Sequence, residues 1–91
     1  MIRLITFRGG NETAKVKIKD NTLFLSSSIT NNLFIPLTAT MIMNLTHSRE
    51  RAAKMQFVIN MMPRLTGEQQ VAYVGIEFSK MGYYPIKSEV I

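Results

Sequence analysis

Ninety-one residues with eleven Lys and Arg against six Asp and Glu have room for one domain around one core, and their net charge of +5 favours an anionic partner or an acidic protein surface. An apolar fraction of 46% with 19% charged residues excludes disorder along the whole chain. The absence of cysteine excludes disulfides, cysteine zinc sites and thiol nucleophiles. No apolar run approaches a membrane span, and the opening Met1–Arg8 segment lacks a small-residue cleavage site, so a soluble cytoplasmic protein is expected. In that compartment the triplets Asn11-Glu12-Thr13 and Asn44-Leu45-Thr46 carry no glycosylation meaning.

Residues 2–7 mix β-branched and aromatic side chains, and Arg8 to Glu12 contains the Gly and Asn of a chain reversal. Residues 14–19 then alternate strictly, Val16 and Ile18 on one face and Lys15, Lys17 and Lys19 on the other. Asp20-Asn21 supplies the next turn, and residues 22–27 read as a third strand. The first 27 residues are thus expected to form a three-stranded antiparallel meander. Residues 26–32, polar except for Ile29, read as a linker, and Leu33-Phe34-Ile35 is too short to assign.

A helical layer is expected over 37–82. Pro36 presets a helical φ, and Leu37, Met41 and Leu45 recur at helical spacing, which predicts a short helix over 37–46. Ser48 caps a second helix whose stripe is Ala52, Met55, Ile59 and Met62, ended by Pro63. Thr66 with Gln69 forms a capping box before a third, with the stripe Val71, Val74, Phe78 and Met81, ended at Gly82. The short Pro63-Arg64-Leu65 connection sets these two helices side by side. Residues 83–91 read as an extended tail able to add an edge strand through Ile86, Val90 and Ile91. The class is α+β.

Catalytic templates are empty. There is one histidine, His47, with one aspartate and five scattered glutamates, and His47 at a helix junction is expected to bond backbone groups and to do no catalysis. No cofactor and no metal are expected, because neither the zinc nor the calcium ligand spacing occurs. Gly9-Gly10 precedes a strand where a phosphate loop needs a helix, so it reads as a hairpin turn.

Two function classes remain. Both long helices carry apolar residues beyond one stripe: Ala53, Phe57 and Met61 on the first, Ala72, Gly75 and Ile76 on the second. Methionines at 41, 43, 55, 61 and 62 suit an adaptable surface as well as a core. The favoured reading is a non-catalytic protein-binding module, self-associating through the helical layer and acting as an inhibitor or adaptor. Short cysteine-free inhibitors encoded by phages and mobile elements have this general character, a likeness of class that rests on no motif. The alternative is a basic nucleic-acid-binding regulator. Lys15, Lys17 and Lys19 repeat at roughly 6.6 to 7 Å, close to the phosphate spacing of a strand, and Arg3, Arg8, Arg49, Arg51 and Lys54 would supplement them. A helix-turn-helix variant of this alternative would use Gln69, Gln70 and Tyr73 to read base edges.

Overall fold

A computed structural model describes residues 1–38 and 48–91. The chain is α+β, with a five-stranded, wholly antiparallel sheet packed on one face by two helices. In chain order the elements are β1 (Arg3–Gly9), β2 (Glu12–Lys19), β3 (Thr22–Ser26), β4 (Ile35–Pro36), α1 (Arg49–Met61), a 3₁₀ turn (Met62–Arg64), α2 (Glu68–Lys80) and β5 (Tyr84–Val90). The spatial order is β4-β3-β2-β1-β5. The first strand therefore lies inside the sheet, between its hairpin partner and the last strand.

The expected three-stranded meander is only part of the sheet, which β4 and β5 extend to five strands on either side of it; its own turns are two-residue ones whose chemistry is local. Gly9 pairs with Glu12, leaving Gly10-Asn11 as the loop, and Gly10 takes the positive φ that such a turn needs at its first position. Lys19 pairs with Thr22, and Asp20 and Asn21 both adopt positive φ, the type I′ geometry that matches strand twist. Alternation then sorts the side chains. Ile5, Phe7, Ala14, Val16, Ile18, Leu23 and Leu25 turn towards the helices and are buried.

Two expectations about the sheet are corrected. The segment 26–32 is no linker between layers, because it reverses the chain within the sheet. The Thr30 hydroxyl donates to Ser27 O (3.0 Å) and accepts from Ser27 N–H (2.9 Å), Asn32 N–H donates to Ser27 O (2.8 Å), and Asn31 and Asn32 hold positive φ. The chain returns as β4, with Ile35 opposite Leu25 and Pro36 opposite Phe24. Pro36 is thus a strand residue on the sheet edge, where its missing N–H is tolerated. Leu37 prolongs this pairing by donating to Leu23 O (2.9 Å) and is buried, so the helix expected over 37–46 does not begin there. The rest of that expectation, and His47, lie outside the described residues. The tail at 83–91 contains the seven-residue strand β5 on the far side of β1, with a bulge opposite Thr6 and Phe7.

Both long helices keep their stripes and α1 keeps its Ser48 cap, whereas the N-cap of α2 is Gly67 at positive φ with no side-chain hydrogen bond, so the expected box keeps only its Gln69 half. The Ser48 hydroxyl accepts from Arg51 N–H (3.3 Å) at the start of α1, and Gln69 Oε1 accepts from Thr66 N–H (3.3 Å) at the start of α2. Ala52, Met55 and Ile59 pack on the core, Met62 is buried, and Val74, Phe78 and Met81 are buried on α2. Val58, outside the predicted stripe, is wholly buried at its centre. Phe7 meets Phe78 with ring centroids 4.9 Å apart, joining sheet to helix. No helix among the described residues is long and apolar enough to cross a membrane.

Candidate interaction surfaces

The open face of the sheet, opposite the helices, gathers Arg8, Lys15, Lys17 and Lys19 by simple alternation. Lys87 of β5 stands opposite Thr6 and joins them, a residue the sequence reading passed over because the position of β5 was unknown. The ammonium of Lys17 lies 5.0 Å from the Phe24 ring centroid and 4.7 Å from that of Phe34. Both rings therefore hold a cation of their own chain, worth about 0.5–1 kcal/mol each at an exposed site. Lys87 and Glu89 share the same side of β5 at 2.6 Å. Their mutual hydrogen bond, and then their opposite charges, hold the Glu89 carboxyl below its ordinary range and the Lys87 ammonium above its own.

The remaining cations proposed for nucleic acid are elsewhere. Arg3 turns to the helix side and pairs with Glu68 in the first turn of α2. Arg51 donates to Met81 O (3.1 Å), satisfying a carbonyl at the end of α2. Lys54 pairs with Glu50 one helical turn away (3.2 Å). Arg49 is exposed on α1, which packs on the opposite side of the sheet from the lysines.

Of the three residues of the helix-turn-helix variant, Gln69 is exposed while Gln70 and the Tyr73 hydroxyl are buried. Gln70 is 6% exposed, and its amide donates to Asn21 Oδ1 (2.7 Å), Met62 O (2.9 Å) and Leu65 O (3.1 Å). It ties the β2–β3 turn to the α1–α2 connection and cannot reach a base. The Tyr73 hydroxyl is buried with no partner among the described residues, and burial above all raises its pKa.

The residues proposed for a protein interface divide. Ala72, Gly75 and Ile76 line a shallow groove of about 450 Å³ with Ile5, Pro85 and Ser88, between α2 and β5. Gly75 faces the last strand of its own chain. Its neighbour is Pro85 of the same chain, and an added Cβ would meet Pro85 Cγ at 3.8 Å, an ordinary contact. Ala53 and Phe57 lie on the outer surface of α1, Phe57 60% exposed, and Met61 is half-buried. These three do not line that groove. A second cavity, about 70 Å³, lies between Met55 and Leu25 with Arg51 among its walls.

Beside the groove, β5 has an outer edge that no strand among the described residues pairs. Tyr84, Ile86, Val90 and Ile91 are all exposed on it, Ile86 and Val90 by 59% and 58%. The direction of its backbone follows from its last pair. Ile91 N–H donates to Ile2 O (2.8 Å) and Ile2 N–H donates to Ile91 O (3.4 Å), so Ile91 addresses β1. In an antiparallel ladder alternate residues do so, which turns the N–H and C=O of Val90 and Ser88 away from the sheet. Comparison of the chain with protein-family models, with curated proteins and with solved structures finds no match.

Proposed function

We propose that the protein is a non-catalytic binding module, of the inhibitor or adaptor type, that takes an extended strand of a protein partner on the outer edge of β5. The observation that carries this reading is the conjunction on one side of the molecule of outward backbone groups at Ser88 and Val90, exposed apolar side chains on the same strand, and the apolar groove under α2. Strand addition draws affinity from main-chain hydrogen bonds and specificity from pockets beside the edge. An exposed apolar edge is otherwise an aggregation hazard, which argues for an occupant. Pro85 and the bulge blunt the first part of the strand, so the usable edge runs from Lys87 to Ile91.

Ser88→Pro tests the reading directly. It removes an outward N–H and no hydrogen bond to β1, and proline is tolerated on an edge whose N–H faces solvent. Capture from lysate should yield a protein band that survives nuclease and is lost with Ser88→Pro. A band indifferent to Ser88→Pro, or one lost on nuclease treatment, refutes edge addition.

A second reading has its own observation, the collection of Arg8, Lys15, Lys17, Lys19 and Lys87 on the open sheet face with Glu89 among them. That face would follow the backbone of a single strand of nucleic acid.

A further inference from the structure

We infer that the strand received by β5 is β5 of a second copy, paired antiparallel about a two-fold axis through Ser88. This rests on the edge reading above and names its partner. Register selects the axis. In a two-fold antiparallel pair, outward backbone groups must face outward groups, so the axis must pass through a residue position and not between two. An axis at Lys87 sets Lys87 against itself, and one at Glu89 sets Glu89 against itself, like charges directly opposite. An axis at Ile86 falls in the bulge, and one at Val90 sets Glu89 opposite Ile91, with no charge partner.

The axis at Ser88 sets no like charges opposite and centres the contact on Lys87, Ser88 and Glu89, clear of the bulge. Ser88, whose N–H and C=O point outward, bonds Ser88 of the second copy. Lys87 then stands opposite Glu89 of the second copy, and Glu89 opposite its Lys87, so the ion pair within each strand becomes a four-charge cluster across the axis. The side chain of Val90, exposed in the single chain, comes beside exposed Ile86 of the second copy, at whose bulge the regular pairing ends. On the helix side, the axis draws Ala72, Gly75 and Ile76 of the two copies together over their grooves. The two sheets become one, and the lysine-bearing faces become one surface.

The chain has no native cysteine, so oxidative trapping reads this register cleanly. Positions 87 and 89 form a pair without mutual hydrogen bonds, where Cα atoms approach to about 4.5 Å, within disulfide reach. Two single variants, Lys87→Cys and Glu89→Cys, are exchanged together and mildly oxidised with glutathione. The expected result is a disulfide-linked dimer in the mixture at least tenfold more abundant than in either variant alone, because 87 faces 89 and never itself. Dimer formed equally well by a single variant overturns the register. Absence of trapping, with wild-type protein sedimenting as a monomer at high micromolar concentration, overturns the second copy. Should capture from lysate still be lost with Ser88→Pro in that case, the edge reading stands with a different partner, and should it be unaffected, both fall.

Discussion

Gln70→Glu distinguishes a buried tie from a base-reading amide, and its cost can be worked from three contacts. The Gln70 amide shares two hydrogens among Asn21 Oδ1, Met62 O and Leu65 O, and a carboxylate of the same shape has none to offer. Neutral Glu keeps a single donor, so about two hydrogen bonds are lost at roughly 1 kcal/mol each. Keeping that carboxyl neutral at pH 7 adds about 3.7 kcal/mol, from a reference pKa near 4.3 and 1.36 kcal/mol per unit. The total is about 5–6 kcal/mol at pH 7, a large part of the stability of a domain this size. The folded-state pKa of the new carboxyl is raised, so the unfolded chain releases its proton first. Stability is therefore fully present below about pH 4 and falls as pH rises from there. Urea unfolding at pH 4 and pH 7 measures this, against Gln70→Met, which should lose about 3 kcal/mol with no such pH dependence. A Gln70→Glu variant within about 0.5 kcal/mol of wild type at pH 7, as for an exposed residue, refutes the burial argument.

Tyr73→Phe removes a buried hydroxyl without a partner among the described residues and should stabilise by about 1–2 kcal/mol. Because burial raises the pKa of this phenol, wild-type stability should fall above about pH 10 as the unfolded chain ionises first, and thermal unfolding of Tyr73→Phe should show a shallower decline. Gly9→Ala places a Cβ 2.5 Å from the Tyr83 ring and should destabilise by about 1–3 kcal/mol in denaturant unfolding, whereas Gly75→Ala should stabilise by up to about 1 kcal/mol. Phe57→Glu should leave folding within about 0.5 kcal/mol of wild type, since Phe57 is largely exposed. If the second reading of function holds, replacing Lys15, Lys17 and Lys19 by Gln should lower the log-log salt slope for a short single strand by roughly two to three. Undetectable binding by the wild type at low salt would remove that reading.

What the sequence by itself determined were the features written in neighbouring residues. The alternation of β2, the Asp20-Asn21 turn, the Ser48 cap and the helical stripes depend on contacts a few positions apart, and each forms as its local chemistry requires. Only the tertiary structure decided where β5 goes. Its pairing with β1 joins residues 76 to 87 positions apart, and nothing local in Tyr84–Val90 records which strand it will meet. Its shortness hid β4, two residues long and held only by its pairing with β3. Charge was the least legible feature, because a cation in the sequence does not declare its partner. Lys15, Lys17 and Lys19 share a face by period alone, but Arg3 and Arg51 were claimed by Glu68 and by the end of α2, once packing brought those groups within reach. Gln70 shows the converse, a polar residue on a helix whose burial was set by one distant turn, at Asn21, closing over it and the adjacent helix connection. The interface residues of α2 met a groove only because β5 lies beside them, while those of α1, equally apolar in sequence, face outward from it.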